Sequence, residues 1–192
     1  NGVTSIGFVG PIEYINSFLG STTERLKQML LHSEYYVDRF KDLDFLFDPI
    51  SIKNYSKSVK QLYGKGYVLT GNSAGFLDPV LSSGVTFATE SALLASKLII
   101  KELKEEEVNW EKDYSNYIKS GVKVFETYVK EWYSGDLQTL FFHQKENEEV
   151  KRQICAVLAG YVWDKTNPFV TRHDRLIKTL AYLIKMEKDE LS

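Results

Sequence analysis

The segment from Gly66 to Ile99, GYVLTGNSAGFLDPVLSSGVTFATESALLASKLI, constrains the fold more than any other stretch. Its apolar run from Tyr67 to Thr70 lies between glycines, which predicts a buried strand entering a tight loop. The loop holds Gly71, Gly75, Pro79 and Gly84. Beyond it Val85, Ala88, Ala92, Ala95, Ile99 and Leu103 recur every three or four positions. That spacing predicts a helix from Ser83 to about Lys104 with those residues on its core face, capped by Ser82 or Ser83. The small residues Ala88, Ala92 and Ala95 would let another element approach closely. Strand, glycine loop and helix N-terminus together present backbone N–H groups and a positive helix end to anything above the loop. Glycines would let a planar or anionic ligand approach the main chain. On pattern alone, a plain structural connection is the favoured reading of the segment.

The rest of the chain sorts by periodicity. Val3 to Val9 alternates β-branched residues with glycine and reads as a strand that stops at Gly10 and Pro11. A link from Pro11 to Gly20 leads to STTE, where Ser21 and Glu24 form a capping box ahead of Leu26, Met29 and Leu30. Pro49 keeps Asp42 to Lys60 from forming a long helix, so that stretch reads as extended strand and loop. Past the charged exit KELKEEE, a solvated helix end, three helices are expected, at about Trp110 to Tyr133, Glu146 to Leu158 and Asp174 to Lys188. Their apolar positions include Tyr114, Ile118, Phe125, Val129 and Trp132, then Ile154 and Val157, then Ile177 and Leu180. No internal repeat interrupts this order.

Composition excludes several classes of function. With 11 Phe, 12 Tyr and 3 Trp in 192 residues, the chain is too aromatic to be intrinsically disordered. A net charge of −2, from 24 basic and 26 acidic residues, argues against nucleic acid or an anionic membrane as partner. Its apolar runs, such as Ala92 to Ile100, are far shorter than the roughly 20 residues a bilayer span needs. One cysteine, Cys155, allows no internal disulfide and reads as a small core residue in a cytoplasmic protein. His32, His143 and His173 are scattered and do not make a zinc-type cluster. Ser73, Ser82 and Ser83 sit in no GxSxG elbow, so a hydrolase triad is not supported. The N-terminus NGVTSIGFVG has neither an initiating Met nor a basic leader, and the expectation is a fragment.

The residues GNSAGFLDPVLSSGV, Gly71 to Val85, resemble the second flavin motif of the FAD-dependent monooxygenase superfamily, above all its flavin-dependent halogenase branch, where the loop typically reads GDAAGFIDPVFSSGV. GVTSIGFVG looks like the strand after the halogenase tryptophan signature. WYSGDLQTLFF and VLAGYVWDKTNPFV look like the helical C-terminal region of halogenase-like oxidoreductases. The resemblance implies an α/β fold (α+β for an isolated fragment) arranged in three parts. Residues 1–65 would belong to a substrate-binding sheet, 66–108 to the distal part of an FAD domain, and 109–192 to a mostly helical C-terminal region.

The resemblance also implies roles. Gly71 and Asn72 would lie at the ribityl and pyrophosphate side of FAD, with Asn72 replacing the usual acidic residue. An amide still hydrogen-bonds a hydroxyl but lacks charge assistance. Asp78 and Pro79 would shape the loop beside the flavin ring. Backbone amides of Ser83, Gly84 and Val85 would lie near that ring, and those of Ser83 and Gly84 near a halide. Leu81 stands where tryptophan halogenases carry glutamate, which favours a phenolic, pyrrolic or carrier-bound substrate over an indole. The implied enzyme uses reduced flavin from a separate reductase, O2 and halide on an electron-rich small-molecule or carrier-bound substrate. No catalytic residue is expected in this chain, because the GxGxxG fingerprint, the WxWxIP segment and the family's catalytic lysine have no counterpart in it. Weak FAD binding by the chain alone follows. Two alternatives stand beside this one: a flavin monooxygenase or prenyl-lipid reductase, and a nonenzymatic helical interaction domain. The aromatic group Phe125, Tyr128, Trp132, Tyr133, Phe141, Phe142, Tyr161, Trp163 and Phe169 reads as core or as the wall of a substrate pocket.

Overall fold

The computed structural model describes residues 2–42, 44–143 and 147–190. The chain divides into two units, Asn1–Tyr55 and Ser56–Ser192. The architecture is mixed α and β and mostly helical, with four strands of two residues each among the described residues. No helix among the described residues is long and apolar enough to cross a membrane.

Among its described residues the first unit carries helices α1 (Ile12–Asn16), α2 (Thr22–His32) and α3 (Val37–Phe40). Helix α2 starts where the sequence places it. The Ser21 hydroxyl accepts from the Glu24 N–H at 3.3 Å, and the Glu24 carboxylate accepts from the Ser21 N–H at 2.7 Å. These bonds hold the Glu24 carboxyl below its usual pKa. The strand expected at Val3 to Val9 is not formed. Residues 2–11 have no regular structure, because an alternating segment needs a hydrogen-bonded neighbour and the described strands pair only with one another. Likewise the expected link after Pro11 contains α1, with proline's fixed φ at the cap position opening the helix.

The second unit is built on helices α4 (Gly84–Leu103), α5 (Asn116–Tyr133), α6 (Asp136–Phe141), α7 (Glu148–Leu158), α8 (Pro168–Thr171) and α9 (His173–Glu190). The helix expected from Trp110 begins instead with a π-helical turn at Glu111–Ser115 before α5. Helices α6 and α8 are short enough to have escaped periodicity. Asn167 caps α8 by accepting from the Phe169 N–H at 2.9 Å, and its amide donates to the Gln153 carbonyl on α7 at 2.9 Å.

Among the described residues two apolar clusters form the core. The larger gathers Phe87, Phe125, Tyr128, Leu137, Val157 and Ile177 among others from α4 to α9. The smaller holds Leu62, Ala95, Leu98, Tyr114 and Ile118. Trp163 packs against both. Its indole stacks on Tyr117 at 5.0 Å and 4°, meets Phe87 edge-on at 5.9 Å, and donates to the Tyr117 carbonyl at 2.8 Å. The stack requires Gly121, since a Cβ there would collide with the indole. Helix α9 is tied to α5 by Lys178 against the buried Glu131 at 3.4 Å, and to α6 by Lys185 against Asp136 at 2.6 Å.

Three sequence expectations about burial fail here. Helix α4 buries Phe87, Ser91, Ala95 and Leu98, whereas the expected core positions Val85 and Leu103 are 76% and 80% exposed. Phe87 is the bulkiest group on the helix and orients it toward Phe125 and Trp163. Cys155 is exposed, one position off the Ile154–Val157 seam. Of the aromatic group, Phe125, Tyr128 and Phe169 are core, but Phe141, Phe142 and Tyr161 are exposed.

Candidate functional site

The site is the loop from Thr70 to Gly84 and the start of α4. It is entered by a hairpin of β2 (Tyr63–Gly64) and β3 (Tyr67–Val68), antiparallel, turning at Gly66 with φ +80°. The buried strand expected at Tyr67 to Thr70 is therefore a two-residue hairpin arm, with Tyr67 itself exposed. The Tyr114 hydroxyl donates to the Leu69 carbonyl at 2.6 Å and fastens this arm to the helical body.

Gly71 takes φ +55°, a left-handed conformation that other residues adopt at a cost. A Cβ there would come within 3.3 Å of Ala88 Cβ. The Gly71 N–H donates to Ser91 Oγ at 2.9 Å, while the Ser91 hydroxyl donates to the Phe87 carbonyl at 2.5 Å. One buried serine thus anchors the loop onto α4. A 3-10 turn, Gly71–Ser73, follows and leaves Asn72 exposed. Then β4 (Gly75–Phe76) pairs antiparallel with β1 (Lys57–Ser58).

Asp78 acts as the turn residue its place before proline predicts. Its carboxylate accepts from the Val80 N–H at 3.0 Å and caps the 3-10 turn Pro79–Leu81. Ser82 sits at φ +54° and Ser83 is buried. Leu77 and Leu81 pack against the larger cluster and Ala74 against the smaller, so the loop's apolar side is held from both ends.

Its other side is open. Ser83 occupies the cap position of α4 in helical conformation and makes no side-chain cap bond, which corrects the expectation that Ser82 or Ser83 caps the helix. The amides of a first helical turn have no intrahelical partner. A Cβ on Gly84 would meet nothing within 4 Å, and Val85 projects outward. The structure brings Ser83, Gly84 and Val85 together at an uncapped, positive helix end, with Asp78 and Pro79 in the turn just before it. Gly71 and Asn72 lie at the opposite end of the loop. This arrangement fits a planar or anionic group resting on the main chain, because no side chain occupies the space over Gly84.

A cavity of about 530 Å³ opens against the same loop, lined by Gly71, Gly75, Phe76, Leu77, Phe87, Ser91 and Ile118, with Lys57, Lys119, Lys123 and Glu126. Sequence reasoning missed it, since β1, the loop and α5 meet only through the fold. Beside it Tyr117 donates to the Glu90 carboxylate at 2.9 Å, and burial together with that contact pushes the phenol up to about 12. A second cavity of about 330 Å³ lies among α6, α7 and α9, lined by Leu140, Phe141, His143, Ile154, Cys155 and Ile184 among others. Phe141 alone of the aromatic group reaches it. Among the described residues no group of three His, Cys, Asp or Glu could hold a metal ion.

No protein-family profile matches the chain. The chain is 27% identical over 146 residues to a 1H-pyrrole-2-carbonyl-[peptidyl-carrier protein] chlorinase of Pseudomonas fluorescens, covering 70% of this chain and 32% of that protein. It is 22% identical over 130 residues to the corresponding brominase of Pseudoalteromonas luteoviolacea, covering 66% of this chain and 31% of that one. A tryptophan 2-halogenase of Chondromyces crocatus is 51% identical over 43 residues, 22% of this chain and 8% of the halogenase. Among solved structures, a flavoprotein/dehydrogenase of Cytophaga hutchinsonii superposes with a TM-score of 0.88 at 46% identity, over 93% of this chain and 44% of that one. The chain therefore spans about a third of the two carrier-protein halogenases and less than half of the solved flavoprotein. The curated relatives are named as halogenases and the solved neighbour as a flavoprotein, so the chain is related, over part of their length, to halogenase-like flavoprotein oxidoreductases.

Proposed function

We propose that this chain is the flavin-loop portion of an FAD-dependent, halogenase-like oxidoreductase of the cytoplasm, acting with reduced flavin, O2 and halide on an electron-rich aromatic or carrier-bound substrate. The observation that carries the reading is the uncapped start of α4 with open space over Gly84, in a loop whose sequence resembles the flavin motif. In this reading residues 66–108 are the distal part of the FAD domain, between a substrate-sheet region at 1–65 and the helical region at 109–192. Backbone amides of Ser83, Gly84 and Val85 face the flavin ring, and those of Ser83 and Gly84 also hold halide, favoured by the positive helix end. Asp78 and Pro79 keep that helix end in place. Gly71 brings the main chain close to the ribityl side, where Asn72 offers an amide for a hydroxyl. The flavin supplies the oxidation chemistry when bound, and a separate reductase supplies its electrons. In this reading the chain's own contribution is positioning, and the proton-transfer and nucleophilic residues of the reaction are not expected among its described residues.

A second reading is favoured by one observation. The solved neighbour at 46% identity is described as a flavoprotein/dehydrogenase, whereas the carrier-protein halogenases are 27% and 22% identical. A flavin oxidoreductase without halide chemistry, such as a monooxygenase or reductase, fits that neighbour. The polypeptide carrying this segment, supplied with a flavin reductase, O2 and chloride or bromide, separates the two. Halide-dependent product supports halogenation; hydroxylated or reduced product alone rejects it. Absence of any bound flavin rejects both and leaves the helical interaction domain.

A further inference from the structure

Helix α5 sets an apolar line of residues beside a charged one. At about 100° per residue Ile118 and Val122 share one line along the helix, and Lys119, Lys123 and Glu126 share the next. Both lines border the cavity of about 530 Å³ against the loop, and β1 adds a third lysine, Lys57. The buried wall of the cavity is apolar, built on Leu62, Phe87 and Ile118. Ser91 is the buried hydroxyl in that wall, and both its roles are taken, since it accepts from the Gly71 N–H and donates to the Phe87 carbonyl. The wall therefore offers an occupant van der Waals contact and little else. Its rim is the opposite. Lys57, Lys119 and Lys123 are exposed, and none of them makes an ion pair among the described residues. Lys119 and Lys123, four positions apart on one helix, repel each other. Lys119 is tied to its place by donating to the Lys60 carbonyl at 3.2 Å. Glu126 is the one carboxylate lining the cavity, so three ammonium groups stand against a single negative charge.

We infer that this cavity binds an organic anion with an apolar body, its ring or chain lying on Phe76, Phe87 and Ile118 and its carboxylate among Lys57, Lys119 and Lys123. Close-packed interiors leave few voids larger than a water molecule, whereas ligand pockets run from about 300 to 1,000 Å³. The size is that of a site. A neutral occupant would leave the lysines repelling one another, and an inorganic anion would leave the apolar wall wet. A cation would add to the positive charge already in excess. An apolar carboxylate meets both needs at once, with its hydrocarbon out of water and its charge at the rim. The inference stands on side chains of the second unit alone and does not rest on the flavin reading.

The probe is 2-naphthoate, with its neutral isostere 2-naphthamide as the comparison, each titrated into the isotopically labelled chain and followed by amide chemical shifts. Naphthoate is expected to bind about tenfold or more tighter than naphthamide at low salt and to weaken as salt rises. Its shifts are expected at Phe76, Leu77, Ile118 and Val122. The double variant Lys57→Glu and Lys123→Glu should abolish that preference while changing naphthamide binding by about twofold or less. Lys130→Glu, on the same helix but outside the cavity, should leave both ligands within about twofold. All three positions are exposed, so circular dichroism of the chain should not change. The inference is overturned by equal affinity for acid and amide, by shifts confined to other surfaces, or by a preference that survives the double variant. No binding of naphthoate at about 10 mM would also overturn it. So would FAD displacing naphthoate, which would assign the cavity to the cofactor instead.

Discussion

The two units differ in what they do with similar apolar content. Among the described residues up to Tyr55, Met29 and Leu30 are the buried hydrophobics, whereas Leu19, Tyr35, Phe47 and Ile50 are 77% to 91% exposed. From Ser56 onward, two clusters among the described residues bury large side chains from α4 to α9, with Leu77 and Leu81 of the loop partly buried against them. Local signals work in both: the capping box of α2 forms as readily as the Asn147 and Asn167 caps of α7 and α8. What separates the units is long-range closure. A helix start can be satisfied within four residues, but an apolar side chain stabilises only when another segment arrives to cover it.

That difference should be largest in core truncations. Phe125→Ala, at a fully buried position, should cost about 3–5 kcal/mol in urea unfolding. Phe47→Ala, 83% exposed, should stay within about 0.5 kcal/mol. Equal losses would break the comparison. Next come the glycines of the second unit. Gly121→Ala pushes a methyl into the Trp163 indole and should cost about 1–3 kcal/mol with a shift in tryptophan emission. Gly84→Ala enters open space and should cost nothing measurable. Removing the loop anchor with Ser91→Ala leaves the Gly71 N–H without its acceptor, for a loss of about 1 kcal/mol and faster amide exchange at Gly71.

The smallest effect is pH dependence. Burial, only partly opposed by Asp174, lowers the His173 pKa below 6.5, with Lys123 adding to the depression. The neutral imidazole is therefore favoured in the folded state. Its contribution is complete above pH 6.5 and is lost as pH falls through the lowered folded value. His173→Gln should flatten the stability curve on that acid limb, and an unchanged curve would show that another group sets it.

Legibility in the sequence followed the range of the interactions. The α2 capping box, the α4 span and the Asp78 turn could be read because each is decided within a few residues. That Val3 to Val9 forms no strand could not, since pairing needs a neighbour whose presence alternation does not reveal. The core face of α4 was misread for a related reason: Val85, Ala92, Ile99 and Leu103 have perfect helical spacing, but Phe87 finds Phe125 and Trp163 more than 35 residues away. The same holds at the site. Gly71, Asp78 and Gly84 stood out as loop residues, whereas Ser91, the group that fastens the loop, looked like one more small residue on a helix.

The central proposal is that flavin rests on the main chain between Gly71 and Val85, weakly when this chain is alone. Backbone amide chemical shifts of the isotopically labelled chain, followed as FAD is added, test this most directly. The predicted result is fast-exchange shifts concentrated at Gly71, Asn72, Ser83, Gly84 and Val85, without saturation at stoichiometric flavin. Shifts confined to other surfaces, no shifts at any concentration, or a tight stoichiometric complex of this chain alone would contradict the account.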